Sequence, residues 1–240
     1  MTLLVEREGA VTTLRLNNAA KGNALSPELV AALEAALTDA ARDGTRLLVL
    51  RGEGRHFCTG FDLSDLPSLS DGDLLLRVVR IEQVLQQLHA MPIATLALGS
   101  GRTFGAGADL FAACDHRVAL AGASFSFPGP AFGLALGTAR LAARIGATAA
   151  RALLLAGREV PAAEALALGL ATQVVADPAE AIAAAATAAS RLDAATVALL
   201  HERTRGAEDA ADMAALVRSA ARPGLKARIE AYRAAVQARR

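Results

Sequence analysis

The sequence predicts an α/β core built on a largely parallel sheet, followed by a helical region. Three observations carry this. Short β-rich runs alternate with amphipathic helical stretches as far as about residue 120. The run Leu47-Leu48-Val49-Leu50 is continuously apolar, as a strand buried on both faces requires. Beyond about Gly137 the pattern changes to alanine-rich helices, broken at Gly146, Gly157, Gly169 and Pro223-Gly224.

Each element has its own signal. Residues 3–5 and 11–16 are β-rich and flank Glu8-Gly9, which reads as a hairpin. Ser26-Pro27-Glu28 supplies an N-cap, a proline at the first helical position and an acid in the first turn. Leu29, Leu33 and Leu37 follow at helical spacing. Leu74, Val78, Ile81, Leu85 and Leu88 form the stripe of a second long helix. Pro92 opens a strand over 93–98, and a glycine-rich turn leads into a helix near 108–114, with a further strand at 116–120. Asp62 and Asp65 are expected to cap a short helix after Phe61, and Cys114, Asp115 and His116 to be structural.

Composition excludes several classes. The chain has 240 residues, 53% of them hydrophobic, with 25 Lys+Arg against 24 Asp+Glu. That balance lacks the basic surplus of a general nucleic-acid binder. The bases do cluster late, at Arg222, Lys226, Arg228, Arg233, Arg239 and Arg240. Such a stretch is a solvated helix face or a meeting point for an anionic ligand. Two cysteines and four scattered histidines offer neither a disulfide framework nor metal-ligand spacing, so no metal is expected. The first residues lack the pattern of a signal peptide, and no run reaches the roughly 18 apolar residues of a membrane span. The expectation is a cytoplasmic protein that contacts neither membrane nor nucleic acid.

Three ordered stretches resemble the crotonase (enoyl-CoA hydratase/isomerase) superfamily. They are Lys21-Gly22-Asn23-Ala24-Leu25-Ser26, then Gly52 through His56-Phe57-Cys58-Thr59-Gly60-Phe61-Asp62-Leu63, then Phe104-Gly105-Ala106-Gly107-Ala108-Asp109-Leu110 on to Cys114-Asp115. Leu155-Ala156-Gly157-Arg158, Ala163-Glu164-Ala165 and Gly224-Leu225-Lys226-Ala227 are similar to later parts of the family pattern. The resemblance implies a crotonase-type spiral of ββα units over 1–180 and a helical oligomerisation region over 181–240, assembling as a homotrimer or dimer of trimers. It also implies an acyl-CoA substrate that brings its own CoA, with no separate cofactor. A competing dinucleotide-binding turn at Gly99-Ser100-Gly101-Arg102-Thr103-Phe104 fails because Phe104 stands where the third glycine belongs.

Acyl-CoA chemistry at the α or β carbon passes through a thioester enolate, whose oxygen needs donors fixed in advance. By resemblance these are the N–H groups of Phe61 and Ala106, the latter at a helix N-terminus where the dipole favours negative charge. The resemblance also implies that Lys21, Asn23, Ala24, Leu25, Gly60, Asp62, Leu63, Gly105, Gly129 and Lys226 contact substrate or CoA. Hydratases of this type use two carboxylates. The first position holds Asp109 and the second holds Gly129, which has no side chain. Asp109 is therefore the expected acid-base group of an enoyl-CoA hydratase/isomerase-like enzyme. A decarboxylase, a thioesterase and a non-catalytic acyl-CoA-binding subunit remain alternatives. Arg102 is weighed as a solvated loop base or as a contact to a substrate carboxylate.

Overall fold

A computed structural model describes residues 1–206 and 209–238; Arg239 and Arg240 of the basic stretch lie outside the described residues. The hairpin forms from β1 (Leu3–Glu8) and β2 (Val11–Leu16), antiparallel. Helix α1 (Pro27–Ala40) begins as expected, with the Ser26 hydroxyl accepting from the N–H of Leu29. Next come β3 (Leu47–Gly52), α2 (Asp71–His89) and β4 (Ala94–Gly99). They are followed by β5 (Arg102–Phe104), α3 (Ala106–Ala113), β6 (His116–Leu120) and β7 (Ser124–Ser126). The second half holds α4 (Thr138–Ile145), α5 (Ala147–Ala156), β8 (Val160–Pro161), α6 (Ala162–Leu168) and β9 (Gln173–Val175). It ends with α7 (Ala179–Ala189), α8 (Ala194–Thr204), α9 (Asp209–Ala220) and α10 (Leu225–Gln237).

The main sheet runs β1-β2-β3-β4-β6-β9 and is parallel apart from the hairpin. Residues alternate across β3, so Leu48 and Leu50 enter one core while Leu47 and Val49 enter another. Helix α7 covers the second core with Ala181, Ala185 and Ala189, one residue per turn, and small side chains let it lie close to the sheet. The division expected at residue 181 falls inside this helix. Asp115 joins β6 to β4 by accepting from the N–H and hydroxyl of Thr95, the structural role expected of it.

Four strands depart from the expectation. The glycine-rich turn contains β5, which pairs with β7, and β7 pairs with β8 in a separate three-stranded sheet. The helical half contributes β9 to the main sheet. These strands have two or three residues, too few to show a period, and they exist through tertiary pairing rather than propensity. The small sheet has one face of Thr103, Phe125 and Val160, all fully buried. Its opposite face carries Arg102 and Phe104.

Helices α9 and α10 fold back on their own chain. Leu216, Leu225 and Ile229 pack with Leu74, Val78 and Leu134. The Asp71 carboxylate accepts from the N–H groups of Gly224, Leu225 and Lys226, so an acid on α2 satisfies the first turn of α10. Those backbone bonds, Lys226 foremost, hold the Asp71 carboxyl below the ordinary range. Among the described residues no single helix is long and apolar enough to cross a membrane.

Candidate active site

Two backbone segments meet at the site. The first follows β3 and is fastened by Asn23, which is fully buried and left-handed at φ 56°. Its side-chain carbonyl accepts from the N–H of Asn18, and its amide donates to the carbonyls of Glu53 and His56. Leu25 then pairs with Phe61: the Leu25 N–H donates to Gly60, and the Asp62 N–H donates to Leu25. Successive amides of an extended chain point to opposite sides, so the Phe61 N–H faces away from Leu25.

The second segment is the entry to α3. Phe104 N–H donates to Cys58, Gly105 N–H donates to Ser126, and Ala106 is the first helical residue. The first N–H groups of a helix have no partner within it. Among the described residues, neither the Phe61 nor the Ala106 N–H has a protein acceptor.

The two segments touch through glycine. Gly60 has φ 94°, and a Cβ there would stand 2.8 Å from the Phe104 carbonyl oxygen and 3.4 Å from the Ala106 nitrogen. A Cβ on Gly107 would stand 2.3 Å from the Cys58 carbonyl oxygen. No side chain fits between the segments, and the absence of one lets the Ala106 nitrogen lie close to Gly60.

Both donors line a cavity of about 590 Å³, together with Gly60, Leu63, Gly105, Asp109 and Gly129. Asp109 is 5% exposed, and its Oδ1 lacks a hydrogen-bond partner. Burial pushes its carboxyl well above the ordinary range; Arg140 opposes this and Glu82 reinforces it. Arg140 is itself buried and pairs with Glu82 and Asp212. Gly137 presses on the carboxyl, since a Cβ there would stand 2.0 Å from Oδ1. A buried carboxyl of raised proton affinity, lining the same cavity as a pair of unpartnered N–H groups, can exchange a proton with a carbon next to a polarised carbonyl.

The remaining predicted contacts lie further out. Lys21 donates to Ser64 at 2.9 Å and pairs with Asp62 at 3.4 Å, and Lys226 donates to the Pro67 carbonyl at 2.7 Å. Neither base lines the cavity. The side chain of Asn23 and the main chain of Leu25 are committed within the protein, and Ala24 is buried beside them. Leu25 and Phe61 also line a second cavity of about 360 Å³ against α2. Asp65 does not cap: its carboxylate takes a two-pronged bond from Arg77, a better partner for a charge than one backbone N–H. Asp62 likewise accepts from the Ser64 N–H in a turn rather than at a helix start. Cys58 and Cys114 are buried and unpaired, and burial pushes both thiols up to about 12.

Three cavity or support residues carry no sequence signal of their role. Glu159 lines the cavity because β8 joins the small sheet, and Gly137 and Arg140 reach Asp109 through α4, far along the chain.

A family model for enoyl-CoA hydratase/isomerase matches residues 6–221. The crystal structure of a Bordetella parapertussis protein described as a candidate enoyl-CoA hydratase/isomerase is 48% identical, with a TM-score of 0.95 over 97% of this chain and 98% of that one. An enoyl-CoA hydratase from Bacillus anthracis is 26% identical, with a TM-score of 0.80 over 92% and 91% of the two chains. Enoyl-CoA hydratase domain-containing protein 3, mitochondrial, of Danio rerio is 34% identical over 177 residues, 71% of this chain and 61% of that protein. The match thus spans less than two thirds of the Danio rerio protein. With the family pattern running through nine-tenths of its length and a crotonase fold around the cavity, this chain belongs to the enoyl-CoA hydratase/isomerase family.

Proposed function

We propose that the protein is an enoyl-CoA hydratase/isomerase-like enzyme that acts on an acyl-CoA thioester through an enolate. The observation that carries this is the pair of unpartnered N–H groups, Phe61 and Ala106, beside the buried carboxyl of Asp109 in one cavity. The thioester oxygen accepts from both donors. Negative charge on that oxygen then meets dipoles already in place, including that of α3, so no reorganisation accompanies the reaction.

In hydration, water oxygen bonds to the β carbon, the π electrons move to the thioester oxygen, and the α carbon gains a proton. With glycine at 129, Asp109 serves both ends: its carboxylate form takes the proton from water, and its acid form returns one to the α carbon. Raised basicity from burial suits a group that must do both. CoA would lie outside the cavity, towards Lys21, Leu25 and Lys226. Assembly as a homotrimer or dimer of trimers and a cytoplasmic location belong to the same proposal, to be checked by sedimentation and fractionation.

The glycine at 129 favours one second reading. Loss of a carboxyl group as carbon dioxide needs the oxyanion hole but not two acids, so decarboxylation stands behind hydration. The test is turnover and binding of crotonyl-, 3-enoyl- and malonyl-type CoA esters. Hydration or isomerisation supports the first reading, and carbon dioxide release supports the second. Binding without turnover favours a non-catalytic subunit, and no binding removes the acyl-CoA reading.

A further inference from the structure

Among the described residues, Arg102 is the one basic side chain lining the 590 Å³ cavity. It sits on the same face of β5 as Phe104, and its guanidinium lies 5.8 Å from the centre of that ring. Its position is fixed from behind, because its N–H donates to His56 Nδ1 at 3.0 Å and its strand is paired along β7. Among the described residues, the guanidinium makes no hydrogen bond and no ion pair. Glu159 lines the same cavity without meeting it, and Asp109 is buried. The bases expected near CoA, Lys21 and Lys226, stand outside the cavity and are already engaged. Arg102 is exposed and stands at the cavity as a cation with no hydrogen-bond or ion-pair partner among the described residues.

We propose that Arg102 receives a free carboxylate at the far end of the acyl chain, so that the preferred substrates are CoA monothioesters of dicarboxylic acids. This rests on the acyl-CoA reading above. The planar guanidinium presents paired donors that fit a carboxylate, and it lies within cation–π range of the Phe104 ring. The strand sets the reach. Arg102 precedes Ala106 by four residues, at most roughly 13 Å of extended chain, and the side chain bends back over Phe104. An acyl chain of about six carbons falls within that upper bound.

The test compares adipyl-CoA with hexanoyl-CoA, which have equal carbon counts, by calorimetric titration of the wild-type protein and Arg102→Gln. Wild type should bind adipyl-CoA about three- to tenfold more tightly at low salt, the range for a partly exposed charge-assisted pair. The preference should shrink as salt is added. Arg102→Gln should erase the preference and leave hexanoyl-CoA affinity unchanged. Equal loss for both esters would mean that Arg102 grips the CoA phosphates instead, and it would overturn the proposal. So would a wild-type preference for hexanoyl-CoA, or a preference that survives the substitution. Failure of both esters to bind wild type would defeat the acyl-CoA reading first, a result distinct from the loss of selectivity.

Discussion

Replacing Gly60 with alanine tests the idea that the proposed oxyanion donors, the N–H groups of Phe61 and Ala106, depend on backbone contact. Gly60 has φ 94°, and the new Cβ would stand 2.8 Å from the Phe104 carbonyl oxygen and 3.4 Å from the Ala106 nitrogen. Both neighbours are backbone, held by β5 and the start of α3, so neither can swing aside as a side chain would. A left-handed conformation costs an alanine about 1–2 kcal/mol. Forced overpacking adds about 1–3 kcal/mol. Gly9 separates these costs, because it has φ 60° and nothing within 4 Å of its Cβ position. Gly9→Ala should carry only the conformational cost, and Gly60→Ala should exceed it by about 1–3 kcal/mol, or roughly 2–12 °C in midpoint for a chain of this size. Thermal and denaturant unfolding measure the difference. Turnover should also fall in Gly60→Ala by about 10²–10³, the loss typical when one oxyanion donor is removed. If the two variants melt together and Gly60→Ala keeps full turnover, the contact does not set the donors and the reasoning is wrong.

Other substitutions probe the acid and its surroundings. Asp109→Asn should lower turnover of a hydrated or isomerised thioester by about 10²–10⁴. It should also change the pH dependence of stability. The folded protein keeps the Asp109 proton above the pH at which the unfolded chain loses it, so stability falls as pH rises above the ordinary value of 3.8 towards the raised folded value. Denaturant midpoints measured across that window should show the slope reduced in Asp109→Asn; an unchanged slope would exonerate the carboxyl. Arg140→Leu strands the buried Glu82 carboxylate and should cost about 3–5 kcal/mol in chemical denaturation. Gly129→Glu supplies a second carboxylate at the cavity wall, where a Cβ meets only the Leu134 carbonyl oxygen closely, at 3.3 Å. Hydration of crotonyl-CoA should rise, and an unaltered rate would argue against hydration as the reaction.

Long elements were legible because period and capping agree. The Ser26-Pro27-Glu28 start and the leucine stripe after it specify α1 locally, and Ser26 does cap it. The apolar run 47–50 announced a strand buried on both faces, which β3 is. Asp65 shows the limit. Its position suggests a cap, but an arginine twelve residues on offers a stronger partner, and only packing brings Arg77 there.

The sequence by itself determined the glycines at 60, 105 and 107, the order of the motifs, and an acid at 109 with glycine at 129. Glycine is legible because its role is a local one: it allows a positive φ and a close approach. Tertiary structure alone decided which surfaces those motifs face. It buried Asp109 and set Glu82 near it, which raise its proton affinity against the opposing charge of Arg140, and it folded α10 back so that Ile229 and Tyr232 wall the cavity. It also paired β5, β7 and β8, which puts Arg102 among the residues lining the cavity. The physical reason is range: helix period and turn chemistry act within a few residues, whereas burial, charge pairing and cavity lining depend on which distant segments share a core.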